Sequence, residues 1–431
     1  MVEATQKTTL LNNRPLSEYT VVLAAEDDRT VANALMDRLG VDLPIKLYDG
    51  YVSGSVIRIG ASYRNGRGAN DLDGYLINNY TDADGNVFCI NASSPEAYAA
   101  ALDDLFSRTK FSKSEDTVSI SMPYETVYSV AVEFRDGSNK RVDYTHWSLS
   151  SKTSRELYKG VTYTEQLFYD DAGLPYRVYT VVADTSLNKI AMGCSNDGFA
   201  YTLPDHADFQ NTQQHMQAAV ANGKNVIAAI NGDFFDNSVN HARWFGDFRP
   251  WGLTVKDGRV ISKGETELRP ILFGTTENVR PFFAMTKDGT PVIAMESEYD
   301  SDEKLATLEN AIGGAYILAR DGKTNVYKYQ HNIIHGEVHP RGLVGFCDDG
   351  KVVLTVIDGR QPEHSNGASL LQSSLLMHRF GASASLLLDG GGSSCMVLRD
   401  PETDTYLTPD KPCDGQLRLI YNSILVIAKD S

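Results

Sequence analysis

Three aspartates in the C-terminal half stand where apolar runs stop. Asp233 follows Asn225–Ile230 after Asn231-Gly232, Asp358 follows Val352–Ile357, and Asp389 follows Leu386-Leu387-Leu388. Each run reads as a buried strand, and each acid has a glycine beside it: Gly232, Gly359 or Gly390. Asp389 opens the run Gly390-Gly391-Gly392-Ser393-Ser394, a backbone that bends sharply or admits a close neighbour. Arg341 and Arg360 lie in the same stretch, and Arg243 and Arg249 lie near Asp233 in sequence. A guanidinium fork binds a planar oxyanion, phosphate or carboxylate, through two oxygens at once. Successive N–H groups of a glycine-rich turn do likewise. His339 and His364 are candidates to share a proton, and Asn231, Ser393 and Ser394 offer neutral hydrogen bonds. Paired carboxylates suit transfer of a glycosyl group to water: one protonates the leaving oxygen, the other attacks or activates water.

Plain structural readings stand beside these. The glycines after Asp389 make a tight turn. Arg341 facing Asp358 makes a structural ion pair. His339 and His364 are support residues near the surface. Trp244, Phe245, Phe248 and Trp251 either belong to the core or form a sugar-stacking wall beside Asp233. Asp358-Gly359 is not a further hairpin turn, because Arg360-Gln361-Pro362 follows instead of a strand. The glycine-rich turn is no nucleotide loop, since no Lys follows it. It is no nucleophile elbow either, since Ser393 lacks the second flanking glycine.

The elements that must carry these groups are legible in outline. Val352–Ile357, a helix over Ala368–Phe380 and Ala384–Leu388 make a strand–helix–strand crossover, with Ser365 or Asn366 as the cap and Gly381 as the stop. Such crossovers are right-handed and leave both strands pointing the same way, and ligands bind beyond strand ends of this kind. A second helix, Asn211–Ala221, is stopped by Gly223 and feeds the strand Asn225–Ile230. Asp-Gly pairs at 257–258, 288–289, 321–322 and 349–350 mark hairpins. With Asp349-Gly350 as the turn centre, Asp348 faces Lys351 and Arg341 faces Asp358; a one-residue slip would change this.

Residues from about 10 to 110 read as a small α+β unit. It has strands at Tyr19–Leu23, Ser55–Ile59 and Val87–Ile90, a helix Thr30–Leu39 stopped by Gly40, and a helix from Pro95 to about Ser107 capped by Ser94. Asp82-Ala83-Asp84-Gly85 is a turn, because the later ligands of a calcium loop are missing. The expected fold class is α+β: an α+β accessory domain over 1–110, a linker with some β structure over 111–155, and a larger mixed-sheet α/β domain over 156–431 with one parallel crossover and many hairpins. The length of 431 residues allows two or three domains. A net charge of −16 argues against nucleic acid or an anionic membrane as the main partner. No apolar run is long enough for a membrane span, and Met1-Val2-Glu3-Ala4 opens no signal peptide. Of Cys89, Cys194, Cys347, Cys395 and Cys413, none forms a CxxC pair; Cys395 with Cys413 is the pair to test as a disulfide against the preferred reading of five reduced thiols.

The C-terminal motifs resemble the phosphodiester glycosidase family, the relatives of the lysosomal mannose-6-phosphate uncovering enzyme. The resemblance is carried by Asn231-Gly232-Asp233-Phe234-Phe235, Arg280-Pro281-Phe282-Phe283, Gly313-Gly314-Ala315, Pro340-Arg341-Gly342 with Gly345, Asp358-Gly359-Arg360, Leu388–Ser393, and Arg418 with Asn422. It covers about residues 156–428. It implies hydrolysis of a sugar-1-phosphodiester at the anomeric carbon, with N-acetylglucosamine as the sugar that the uncovering enzyme removes. Two departures stand out: Gly342 occupies a position where members often have Thr, and Asp233 one where they often have Gly. The N-terminal part resembles the accessory α+β domain of β-hexosaminidases through Val56–Gly60, Asp73–Ile77 and Ala97–Phe106.

The implied assignments follow residue by residue. Asp389 and Asp358 are acid and nucleophile or base, in an order left open, and Asp233 is catalytic or binds a cation. Arg341 and Arg360 hold the phosphate. Asn231, Gly390, Gly391, Gly392, Ser393, Ser394, His364, Arg418 and Asn422 complete the substrate site. No cofactor is required, and a divalent cation such as calcium is compatible with the acids. The partner is a glycan or sugar phosphodiester. The implied location is extracellular or in a bacterial cell envelope, with the cytoplasm left open. Two rival readings remain: a metal-dependent phosphodiesterase attacking phosphorus, and a non-catalytic glycan- or wall-binding protein.

Overall fold

The structure is a computed structural model that describes residues 8–48, 50, 52–61, 75–82, 84–114, 116–122, 127–133, 139–143, 147–170, 172–195, 209–235, 250–263, 280–324 and 337–429. Two compact units divide the chain. One holds residues 1–131 and 141–144, the other 132–140 and 145–431. The expectations for Arg243, Trp244, Phe245, Phe248, Arg249 and the Asp73-Gly74 pair lie outside the described residues.

In the first unit β1 (Tyr19–Leu23), α1 (Arg29–Leu39), β2 (Ile45–Leu47), β3 (Ser55–Ile59), β4 (Tyr75–Asp82), β5 (Gly85–Ala92) and α2 (Pro95–Arg108) follow one another. β2, β1, β3 and β5 are parallel neighbours, and β4 adds to β5 antiparallel through the tight Asp84-Gly85 turn. Gly40 ends α1 in the left-handed region at φ 68°, and the Ser94 hydroxyl accepts the Ala97 N–H at 3.1 Å to start α2. The strands β6 (Val127–Glu133) and β7 (Asn139–Asp143) extend the same sheet beyond β4.

Among the described residues the second unit has three sheets. The largest runs in the order β8 (Ser148–Tyr158), β9 (Val161–Tyr169), β10 (Pro175–Ala183), β21 (Val352–Ile357), β20 (Arg341–Cys347), β22 (Ala382–Leu387), β18 (Tyr316–Arg320), β19 (Lys323–Thr324). The second orders β11 (Asn188–Cys194), β25 (Asn422–Ala428), β12 (Val226–Asn231), β23 (Met396–Asp400) and β24 (Thr405–Leu407). The third orders β14 (Arg259–Lys263), β13 (Leu253–Lys256), β17 (Leu308–Gly313), β15 (Pro281–Thr286) and β16 (Pro291–Met295). One apolar core joins them: Tyr179, Val181, Leu354, Val356 and Leu386 from the first, Ile190, Ile227, Met396 and Val426 from the second, Phe283 and Ile312 from the third. No helix among the described residues is long and apolar enough to cross a membrane.

The crossover exists, with a strand inserted. β21 and β22 are each antiparallel to β20, so they run in the same direction with β20 between them. Their C-terminal ends and the N-terminal end of β20 therefore share one sheet edge, which gathers Asp358, Asp389 and Pro340-Arg341. The connecting helix α4 is Leu370–Arg379. Its cap is Ser369, whose hydroxyl accepts the Gln372 N–H at 3.2 Å while the Gln372 side chain reaches back to the Ser369 N–H at 2.9 Å. Ser365 and Asn366, expected as caps, belong to the loop before it. Gly381 stops the helix at φ 83°.

The register of the β20–β21 hairpin differs from the expected one. Arg341 lies opposite Ile357, not Asp358. The turn is a three-residue loop, Asp348-Asp349-Gly350, closed by Cys347 N–H to the Lys351 carbonyl at 2.9 Å and Gly350 N–H to the Cys347 carbonyl at 2.9 Å, with Gly350 at φ 81°. A glycine in the left-handed region is what such a loop demands, and it shifts every cross-strand pair by one. All five cysteines are free thiols. The Ser369→Ala variant is expected to lose about 1 kcal/mol of stability, typical of a lost N-cap; chemical denaturation of that variant checks the assignment.

Candidate functional site

The acid-bearing loops meet at the shared edge. Leu388 N–H donates to the Gly342 carbonyl and Asp389 N–H to the Gly232 carbonyl, both at 2.9 Å, so the ends of β22, β20 and β12 are joined through backbone. Asn231, fully buried on β12, clamps the next strand from both sides. Its Nδ2 donates to the Asp389 carbonyl at 2.7 Å and its Oδ1 accepts the Cys395 N–H at 3.2 Å. Gly342 makes room for it: a Cβ there would stand 2.8 Å from Asn231 Oδ1 and 3.0 Å from the Asp389 carbonyl oxygen. Gly342 thus fits the close approach of Asn231.

The glycines after Asp389 are needed for contact. A Cβ on Gly390 would lie 2.8 Å from the Pro340 carbonyl, which already accepts the Gly391 N–H at 3.0 Å. Gly391 has φ 61°, and a Cβ there would lie 3.0 Å from Arg360 Nη1 and 3.2 Å from Nη2. Arg418 and Asp414 occupy the space a side chain on Gly392 would need. Two guanidinium groups therefore lie against one bare turn. The N–H groups expected as an anion cradle are largely spent inside it: Gly390 donates to Asp389 Oδ1 at 2.8 Å, Ser393 to the Gly390 carbonyl at 3.2 Å and Ser394 to the Gly391 carbonyl at 3.3 Å. The cations, more than the backbone, supply positive charge.

Asp389 is half-buried. Burial pushes its carboxyl up to about 6, against the opposing pull of the Ser393 hydroxyl, the Arg418 charge and the Gly390 N–H, while the Asp233 charge pushes the same way as burial. Arg418 is held by Asp414, with Nη2 at 2.6 Å and Nε at 2.9 Å from Oδ2, and its Nη1 donates to the buried Ser393 hydroxyl at 3.3 Å. Ser394 is buried, and its hydroxyl has no partner among the described residues. Arg360 is exposed, sits at φ 58°, and its Nη2 is 3.3 Å from His339 Nδ1. His339 is depressed below the usual imidazole range by burial and then by the Arg341 charge.

Asp358 is 3% exposed and faces a different set of partners. Its Oδ2 is 2.7 Å from His364 Nε2 and accepts the Tyr179 hydroxyl at 3.2 Å, and both oxygens accept the Lys411 N–H at 3.1 Å. Burial raises this carboxyl, and the hydrogen bond with His364 opposes it. Asp358 and Asp389 share no partner in these sets.

Two expected site residues are committed elsewhere. Arg341 does not reach Asp358. Its buried guanidinium donates through Nε to the Ala368 carbonyl at 2.8 Å and through Nη2 to the Glu337 carbonyl at 2.9 Å, and burial brings it down to about 10. The register shift puts it opposite Ile357, where carbonyls of the flanking loops are its nearest acceptors. Asp233 is 1% exposed; its Oδ2 accepts the Gly252 N–H at 2.6 Å, and its Oδ1 lies 3.7 Å from Arg280 Nη1. Arg280 is buried too, 5.6 Å from the Phe234 ring centre and 5.1 Å from that of Trp251, two rings stacked 5.6 Å apart. Asn422 supports the same loop, its Oδ1 accepting the Asp233 N–H at 2.8 Å. Trp251 is thus one of two stacked rings beside the Arg280 cation.

Arg280 as the partner of Asp233 was missed by reading the sequence, although it stands in one of the family-like motifs. His215 was missed as well: it is fully enclosed, with Nε2 2.9 Å from the Ser195 hydroxyl and Nδ1 2.8 Å from that of Ser423, and burial takes it down to about 3. No sequence signal separates such a core histidine from a surface one.

Residues 224–427 match the phosphodiester glycosidase family. A Bacillus subtilis (strain 168) relative, the SPbeta prophage-derived uncharacterized protein YomE, is 25% identical over 292 residues, which are 64% of this chain and 41% of that protein. The chain thus spans less than half the length of that relative. Among solved structures, the catalytic domain of zebrafish N-acetylglucosamine-1-phosphodiester alpha-N-acetylglucosaminidase, auto-inhibited by its pro-peptide, is 17% identical, with a TM-score of 0.44 over 65% of this chain and 89% of that one. A hypothetical protein from Synechocystis is 12% identical, with a TM-score of 0.42 over 82% and 88%.

Removing one member of a buried ion pair strands the other charge, which costs about 3–5 kcal/mol. Asp233→Ala is expected to destabilise the fold by that amount, as read by urea denaturation. A loss below about 1 kcal/mol would mean that the pair is not what holds this loop.

Proposed function

We propose that the protein is a carbohydrate-active hydrolase that cleaves a sugar-1-phosphodiester at the anomeric carbon. The carrying observation is the pair of guanidinium groups, Arg360 and Arg418, laid against the Gly391-Gly392 turn directly after Asp389. A phosphodiester placed across that turn meets Arg360 and the Arg418 guanidinium, which is paired with Asp414 at 2.6 Å. Fixed positive charge aimed at a leaving oxygen stabilises charge as it develops there. Asp389, raised to about 6, is the group able to hand that oxygen a proton in mildly acidic solution. Arg341 and Asp233 act at a distance, the first by tying the Ala368 and Glu337 backbone, the second by fixing the loop that carries Asn231. The match of residues 224–427 to the phosphodiester glycosidase family supports the reading, and the sugar is open to test.

A panel of sugar-1-phosphodiesters, N-acetylglucosaminyl ones included, incubated in isotopically labelled water tests it. Label in the released sugar is expected. Label in the phosphate would replace this reading with attack on phosphorus, and binding without turnover would replace it with a glycan-binding role.

Asp389→Asn removes the proton donor and is expected to lower kcat about 100-fold or more. The raised carboxyl also sets a sign. As a general acid Asp389 works protonated, so kcat/KM should fall as pH rises through about 6, and this limb should vanish in Asp389→Asn. A flat profile between pH 5 and 7 in the parent protein would remove Asp389 from the role. Another variant, Gly392→Ala, adds a methyl that displaces the flexible ends of Arg418 and Asp414. It is expected to raise KM for phosphodiesters several-fold with the thermal midpoint little changed.

A further inference from the structure

Asp358 lies behind a histidine. The carboxylate is 3% exposed, whereas the His364 side chain retains 25% exposure and touches it at 2.7 Å through Nε2. Every other described contact of that carboxyl is a donor. The Lys411 N–H can only donate, and the Tyr179 hydroxyl keeps its proton, since burial and the Asp358 charge both raise it. Burial raises this carboxyl, while its oxygens accept from the Lys411 N–H and the Tyr179 hydroxyl, contacts that favour the ionised form. The proton shared with His364 therefore rests on Nε2, and the lone pair is left on Nδ1. No described residue takes Nδ1 as a partner.

Asp410 completes the arrangement from the inside. It is 5% exposed; its Oδ1 accepts the Met396 N–H at 2.7 Å, and its Oδ2 has no partner among the described residues. The titratable groups that act on it or feel it are Asp358, Cys395 and Tyr163, none of them cationic. Burial and then the Asp358 charge push Asp410 well above the usual carboxylate range. The loop does not need the Asp358–His364 bond to hold its shape. The Ser365 hydroxyl already donates to the Asp358 carbonyl at 2.7 Å, and Gln361 Nε2 donates to the Lys411 carbonyl at 2.9 Å.

We propose that His364 is the catalytic base of the site, acting through Nδ1, and that Asp358 is a positioning residue that orients it, with Asp410 packed behind. This rests on the hydrolytic reading above. In the step, the water oxygen bonds to the anomeric carbon and its proton passes to His364 Nδ1. The bond from that carbon to the phosphate oxygen breaks, its electron pair stays on the oxygen, and Asp389 supplies the proton there. The products are a free sugar and a phosphomonoester. Solvent then returns the proton from His364 to Asp389.

Nitrogen-resolved NMR of the imidazoles tests the arrangement without any substrate. At pH 8 the His364 ring is expected with its proton on Nε2, and Asp358→Asn, whose amide can donate to Nε2, is expected to move it to Nδ1. A proton on Nδ1 in the parent protein overturns the proposal. Activity tests the role: His364→Ala and His364→Gln should each lose about 100-fold or more in kcat with KM within about threefold, and added imidazole should restore part of the loss to His364→Ala. Variants within about threefold of the parent kcat overturn it. If the parent turns over no sugar phosphodiester, the hydrolytic reading fails and the base role falls with it. A proton found on Nε2 then leaves the Asp358–His364 pair standing as a structural dyad.

Discussion

The Pro340 carbonyl is the point on which the site closes. It accepts the Gly391 N–H and approaches Gly390 so closely that no side chain fits between them. That contact sets the turn after Asp389 against the start of β20, and β20 is the strand that separates β21 from β22. Because both neighbours run against it, their ends must come out where it begins. The gathering of Asp358, Asp389 and Pro340 at one edge is a consequence of strand direction alone. The turn carries no side chains at Gly390, Gly391 and Gly392, and Arg360, Arg418 and Asp414 fill the space that side chains on Gly391 and Gly392 would have taken, so that Gly391 and Gly392 are buried.

The acids differ by what surrounds them. Asp233 is buried against a cation and held by a backbone donor, which makes it part of the framework. Asp358 is buried among donors with a histidine at the open side, so its charge is used to orient that ring. Asp389 keeps contact with solvent yet pays a desolvation cost, and its proton is held in a range useful for exchange. Similar local sequences, an apolar run, an aspartate and a glycine, thus give three environments. Burial and partner identity separate them, and neither is written in the motif.

Strand and helix placement was largely legible before the fold was known. The apolar runs at Val226–Asn231, Val352–Ile357 and Ala382–Leu387 became buried strands, and Gly40, Gly381 and the Asp-Gly pairs at 257–258 and 321–322 took the left-handed conformations that stop helices and turn hairpins. These features depend on residue type and local spacing, so local reasoning reaches them. The register of β20 on β21 failed because the loop has three residues where a two-residue turn was read, and that single residue moved Arg341 away from Asp358. The cap of α4 was misplaced for a related reason: Ser365, Asn366 and Ser369 are all good caps by composition, and tertiary bonds to Arg177 and Asp358 claim Ser365 for the loop.

By itself the chain determined its elements, its α+β class and the cluster of acids, arginines and glycines near the end, because these follow from periodicity and side-chain chemistry over a few residues. Only the tertiary structure decided which arginines lie on the glycine turn, that Arg280 pairs with Asp233, and that His364 stands in front of Asp358. Those outcomes depend on which strands become neighbours and on a register set to one residue. Contacts that fix the site join residues far apart in the chain, such as Asp233 and Asn422 at a separation of 189, and no local pattern carries that information.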